Sequence, residues 1–170
     1  ESLSFLLGGA VGKGVALSEY KGAQDANTGE RSGLSAFDSV DEITMVCAPS
    51  ENDAGLTGLS DALVAHCENM KDRFAVLQAS RSAGPVGRLE PPVDSKYAAF
   101  YYPWLKVVDP VTNLPKLVPP GGHMVGIYAR SDIQRGVHKA PANEPVRGIS
   151  ELQLTLTKGE QDVLNPRGVN

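Results

Sequence analysis

Cysteine, histidine and tryptophan are scarce in this sequence, with two Cys, three His and one Trp among 170 residues. Cys47 and Cys67 cannot build a disulfide framework, and His66, His123 and His138 lie too far apart for a zinc-ligand spacing. A reducing, cytoplasmic origin is expected, with both thiols serving as small core hydrophobes. An excess of positive charge is also lacking. Sixteen Lys and Arg are set against 20 Asp and Glu, a net charge of -4, and the cations are scattered, so no phosphate-binding footprint forms and nucleic acid is not an expected partner. The longest apolar stretch, Tyr97 to Leu105, has a proline inside it and is about half of the roughly 20 residues that a spanning helix needs. The Leu3 to Leu7 segment has neither the length nor the basic flank of a secretory leader. With Glu1 rather than methionine at its start, the chain is expected to begin inside a longer protein.

What is present suits a packed domain, since 41% apolar residues suffice to bury a sizeable core. Leu3, Phe5 and Leu7 alternate as in a half-buried strand, which Gly8, Gly9, Gly12 and Gly14 interrupt. Residues 8–40 read as a Gly-rich loop region, with at most a helical turn over Gly33 to Asp38. Ile43 to Ala48 is a nearly continuous apolar run closed by Pro49, as in a strand covered on both faces. Leu59, Leu63, His66, Cys67 and Met70 then recur at three- and four-residue steps, predicting a helix from about Thr57, its N-cap, to Met70. Phe74 to Leu77 reads as a second buried strand, and strand, helix and strand together make a βαβ unit.

Eight of the 12 prolines fall between Pro85 and Pro120, marking a surface excursion. Within it, Tyr97 to Val108 reads as a strand interrupted at Pro103, and Asp109 to Asn113 as the turn of a hairpin returning through Leu117 and Val118. A helix is predicted over His123 to Gln134, with Met124, Ile127 and Tyr128 inward, Arg130, Asp132 and Arg135 outward, and Gly136 capping its end. Leu152, Leu154 and Leu156 share one face of a last strand, and Lys158 to Val163 starts another helix. The predicted fold class is thus α/β in the mixed α+β sense: a mixed β-sheet with a βαβ unit flanked by helices, plus a Pro-rich hairpin over residues 85–120.

No catalytic, cofactor or metal site emerges. Gly8 to Gly14 superficially suggests a phosphate loop, but Leu7 stands where its first glycine belongs, Gly14 replaces the hydroxyl after Lys13, and no helix follows to receive a phosphate. His66 reads as a packed or rim histidine rather than a base. Ser80 and Ser82 have no histidine near them in sequence, and Asp94, Asp109 and Asp132 read as turn formers or solvated charge. The run Phe100-Tyr101-Tyr102-Pro103-Trp104 serves the core, part of it left for a neighbouring subunit, or else a ligand platform.

Three ordered pieces carry a resemblance: Tyr97-Ala98-Ala99-Phe100-Tyr101-Tyr102-Pro103-Trp104-Leu105-Lys106-Val107-Val108-Asp109-Pro110, then Val118-Pro119-Pro120-Gly121-Gly122-His123-Met124-Val125-Gly126-Ile127-Tyr128-Ala129-Arg130, then Arg135-Gly136-Val137-His138-Lys139-Ala140-Pro141-Ala142-Asn143-Glu144. They resemble the contractile tail sheath family of bacteriophages, tailocins and related contractile injection systems. The earlier half agrees through Gly8-Gly9, Gly33-Leu34, Val40-Asp41-Glu42-Ile43 and Ala48-Pro49. One departure is His138, where the family commonly has tryptophan. The resemblance implies the central part of a sheath subunit, residues 1–170 forming a single α/β domain, with N-terminal and C-terminal extensions outside it. It implies a structural protein of the virion tail or injection particle, assembled in the bacterial cytoplasm, that polymerises with itself in a helix around an inner tail tube protein. Baseplate and tail terminator proteins are the other implied partners, and contraction drives the tube through a cell envelope. Arg130, Asp132 and Arg135 are the expected contacts between subunits. The competing expectation from another class is a small α/β enzyme, nucleotide-binding or hydrolytic, with its site at the strand ends.

A helical polymer needs both complementary surfaces, and on the sheath reading the extensions supply much of them. Residues 1–170 alone are therefore expected to sediment as a monomer or weak oligomer, and long tubes formed by them would show that the assembly surfaces are misplaced.

Overall fold

The central strand of a three-stranded parallel sheet organises the chain. The computed structural model describes residues 14–170, so the Leu3, Phe5 and Leu7 alternation and the glycine-rich stretch through Lys13 lie outside the described residues. The sheet has the order β1-β2-β3, with β1 at Met45–Val46, β2 at Phe74–Gln78 and β3 at Ala98–Tyr101. Met45 pairs with Phe74 and Ala75 with Ala98. Ala75, Val76 and Leu77 are fully buried, as a continuous apolar run in a covered strand should be. β1 is shorter than Ile43 to Ala48 predicts, because Ala48 already opens a turn in which its carbonyl accepts the Glu51 N–H.

Within the stretch expected to be loop, residues Leu17–Lys21 form a short helix, α1, and helix α2 (Leu59–Met70) joins β1 to β2 and completes the βαβ unit. Leu59, Leu63, His66 and Cys67 are buried as their spacing predicts, with Val64 added. The N-cap is Gly58 rather than Thr57. Its φ of 89° lies in the left-handed region, which glycine adopts without Cβ strain, and no side chain caps the helix. Helix α3 (Gly121–Arg135) covers the other face, and Gly136 donates its N–H to the Asp132 carbonyl at its end.

Strand period assigns the two faces. Ala75, Leu77 and Ala79 join Leu59, Leu63, Val64 and Cys67 in one core cluster. From the opposite face, the Phe74 ring lies 5.8 Å from that of Tyr128, and Gln78 accepts the Gly121 N–H. The parallel sheet is therefore sandwiched between α2 and α3. From β2 to β3 the chain crosses without an α-helix, using a short 3-10 turn at Val86–Arg88, in keeping with Pro85, Pro91 and Pro92.

The expected mixed sheet resolves into two sheets. The second is antiparallel, in the order β5-β4-β6, with β4 at Leu105–Val108, β5 at Pro115–Val118 and β6 at Glu151–Leu152. The β4–β5 hairpin turns where expected, with Asp109 Oδ1 accepting the Val111 and Thr112 N–H groups. The last strand corrects the expectation for Leu152, Leu154 and Leu156. Pairing runs from Lys106–Glu151 through Leu105–Leu152, and the Gln153 N–H reaches the Trp104 carbonyl. Opposite Leu154 stands Pro103 in a non-hydrogen-bonded position, and the next ladder donor, the Tyr102 N–H, is given to the Asn170 carbonyl, so β6 ends and Leu154 stays exposed. Helix α4 (Lys158–Leu164) opens with a Thr157–Glu160 capping box. Beyond it, Val169 and Asn170 lie parallel to the outer edge of β3, the Asn170 N–H donating to the Phe100 carbonyl.

The joint between α3 and the sheet is tight at Gly121, where an added Cβ would lie 2.5 Å from both Cys47 Sγ and Gln78 Oε1. Gly121→Ala is expected to cost about 1–3 kcal/mol through overpacking. Gly122→Ala, which meets nothing within 4 Å, serves as the control. Chemical denaturation reads both, and equal midpoints for the two variants would sink this account.

Candidate functional site

The C-terminal ends of the parallel strands, where an open α/β sheet would hold a ligand, are filled by the protein's own side chains. Gln78 is 1% exposed there. Its Nε2 donates to the Ala48 carbonyl at 2.9 Å and its Oε1 accepts the Gly121 N–H at 3.0 Å. Asn52 Nδ2 donates to the Gln78 carbonyl at 2.8 Å. Glu51 Oε1 accepts the Gln78 N–H at 2.5 Å, while its buried Oε2 has no hydrogen-bond partner. Burial pushes the Glu51 carboxyl up to about 7, against the opposing pull of the Gln78 N–H. Cys47 beside it is pushed up to about 11 by burial and by Glu51, so its thiol stays protonated at neutral pH and is a poor nucleophile.

A second buried polar group lies at the other end of β2. Arg73 is 2% exposed. It donates to the Phe37 carbonyl at 2.9 Å, the Val40 carbonyl at 3.2 Å and Asp72 Oδ1 at 2.8 Å. Arg73 Nη1 stands 3.3 Å from His66 Nε2. Because a guanidinium only donates, Nε2 must accept, which leaves the His66 Nδ1 proton facing Asp38 Oδ1 at 3.5 Å. Burial and then the Arg73 charge hold His66 below its ordinary value. The histidine is packed, as its place on the apolar stripe of α2 predicts. An Asp–His pair does no acyl chemistry without a nucleophile, and the adjacent Cys67 is wholly buried and pushed up to about 11. Ser80 and Ser82 hydroxyls face each other at 3.3 Å. Among the described residues, no three His, Cys, Asp or Glu side chains form a metal-binding group.

The aromatic run goes mainly to the core. Phe100 and Tyr102 are buried, Tyr101 and Tyr128 share a hydroxyl hydrogen bond of 2.9 Å, and Trp104 Nε1 donates to the Ala79 carbonyl. Next to it, Tyr101, Met124, Leu152, Leu156 and Leu164 are among the residues that line an apolar groove of about 450 Å³.

The three side chains expected to point outward from α3 separate. Arg130 is corrected: it donates to the Pro145 carbonyl at 2.8 Å and pairs with Glu144 at 3.5 Å, pinning the loop after α3 to the helix. Asp132 is half-buried, whereas Arg135 is exposed, as is His138 beyond the helix end. Glu51 and Arg73 were invisible in the sequence. Glu51 sits in a polar stretch, Ser50-Glu51-Asn52-Asp53, that reads as solvated loop, and the one signal for Arg73 is its place immediately before a buried strand.

Fold and surfaces can now be set beside known proteins. Residues 22–170 match the family described as phage tail sheath protein central domain. The chain belongs to this family. A tail sheath protein of Burkholderia phage BcepMu is 26% identical to this sheath domain over 98 residues, covering 54% of this chain and 20% of that protein. Two solved chains of the anti-feeding prophage, one from its baseplate and one from its helical sheath in the contracted state, each have a TM-score of 0.65 and 29% identity over 87% of this chain. A chain of the contracted PVC sheath complex, from an extracellular contractile injection system, has a TM-score of 0.58 and 26% identity over 79%. The domain spans a fifth of the phage protein and 37–40% of these solved chains.

Folding raises the Glu51 carboxyl from its ordinary 4.5 to about 7, so between these values the folded domain holds a proton that the unfolded chain releases. The resulting stability is complete below the lower value and is lost as pH rises through the upper one. Thermal unfolding midpoints are expected to fall from pH 5 to 8, and Glu51→Gln to flatten that decline. An unchanged slope in the variant would refute the assignment.

Proposed function

We propose that this sheath domain is the central part of a structural subunit that polymerises around an inner tail tube and contracts, driving the tube through a cell envelope. The observation that carries this is the family match over residues 22–170, supported by the likeness to sheath chains solved in the contracted state. The domain works mechanically and not as an enzyme. The filled strand ends and the protonated thiols agree with that reading.

The energy of contraction then resides in contacts between subunits, exchanged as rigid domains rotate against one another. A small gain per interface becomes large when summed over a polymer. Extensions flanking residues 1–170 connect neighbouring copies, and the inner tube, baseplate and tail terminator proteins are the other partners. The particle is a phage tail or an injection machine, assembled in the bacterial cytoplasm. Of the expected contact residues, Arg135 and Asp132 touch a neighbouring subunit directly, and Arg130 acts by holding the Glu144–Pro145 loop in place.

The full-length protein that carries this domain is expected to form striated hollow cylinders in negative-stain images when produced with its tube protein. Dispersed particles under all assembly conditions, or turnover of a substrate abolished by one side-chain replacement, would overturn this reading.

A further inference from the structure

The two helical layers differ in charge. On the outward ridge of α2, Asp61, Ala65 and Glu68 recur at four- and three-residue steps and are all exposed, with exposed Lys71 and Asp72 just past the helix. On the far side of the sheet, the end of α3 presents exposed Arg135 between two apolar side chains, Ile133 and Val137, each 85% exposed. Half-buried Lys139 follows, and half-buried Asp132 and Glu144 are anions of this side, Glu144 being paired with Arg130. An apolar centre inside a charged rim is the anatomy of a protein interface.

We propose that the Ile133–Val137 end of α3 docks on the outward ridge of α2 of a second copy of this chain. Charge complementarity selects that occupant: Arg135 meets the Asp61 and Glu68 carboxylates, and the small Ala65 between them leaves a shallow seat for Ile133. The two patches differ and lie on opposite sides of one sheet, so each copy offers one of each. Such a contact is heterologous and propagates from copy to copy instead of closing a pair. It rests on the sheath reading and deepens it, by naming which helix of one subunit meets which helix of the next.

The test uses the full-length protein, with cylinder yield as the readout. Arg135→Glu alone and Glu68→Arg alone are each expected to lower the yield by about tenfold, and the two together to restore most of it. Unfolding midpoints of the unassembled variants should stay close to that of the unsubstituted protein, since both positions are exposed and Glu68→Arg loses only an exposed hydrogen bond from Ser95. Where a reversal prevents folding, Ile133→Ser/Val137→Ser reads the same contact from its apolar side, and a lowered yield supports the proposal. Single reversals that leave the yield unchanged overturn the contact, as do losses that the swap fails to repair, the result expected if these patches meet the tube protein or another part of the longer chain. In either case the sheath reading stands, whereas unsubstituted protein that never forms cylinders overturns both.

Discussion

Burial of Gln78 at the end of the central strand is the constraint on which the rest of the structure depends. A primary amide in the interior needs its donors and acceptor met, because each unmet group costs on the order of 1–3 kcal/mol. The Gln78 amide meets that need by joining two segments far apart in sequence, its Nε2 donating to the Ala48 carbonyl in the turn after β1 and its Oε1 accepting the first N–H of α3 at Gly121, while Asn52 from the same turn donates to the Gln78 main-chain carbonyl. The same contact sets the depth at which α3 enters, since only a glycine fits between Cys47 and the amide. With α3 placed, Phe74 meets Tyr128 at the other end of the strand, and both faces of the sheet are covered.

That arrangement separates rigidity from reach. The parallel sheet and its two helices hold most of the buried apolar side chains, whereas the β4–β5 hairpin carries Val108, Val111 and Leu114 largely in solvent. Arg73 ties the 3-10 turn at Gly33–Ser39 to β2 through the Phe37 carbonyl, and Arg130 ties the loop after α3 back to its helix. Such fastenings hold segments outside the sheet to its rigid body. A guanidinium that satisfies several carbonyls and a carboxylate cannot be withdrawn without stranding them.

Electrostatics serves the inside and the outside differently. Within the domain, Glu51 is a buried carboxyl with one oxygen on the Gln78 N–H and the other without a partner, and its burial favours the protonated form, a local cost retained beside the Gln78 junction. On the surface, exposed pairs are individually weak and screened by salt. The strand ends that would hold a ligand in an enzyme of this architecture are instead packed with Gln78 and Glu51.

The α/β class, the βαβ unit, the buried stripe of α2, the hairpin turn at Asp109 and the extent of α3 were all legible in the sequence, because apolar periodicity and turn chemistry act over a few residues. The ordered pieces from Tyr97 to Glu144 likewise carried the family resemblance unaided. Other features were settled by contacts between distant segments. The strand at Leu152 stopped short only because the Tyr102 N–H, which a longer ladder would use, goes to the Asn170 carbonyl. Glu51 became a buried acid only because the end of β2 and the start of α2 pack against it, and Arg130 lost its freedom to a loop that begins beyond its own helix. Local patterns state what each segment prefers, but burial, pairing and charge depend on neighbours that only the folded chain supplies.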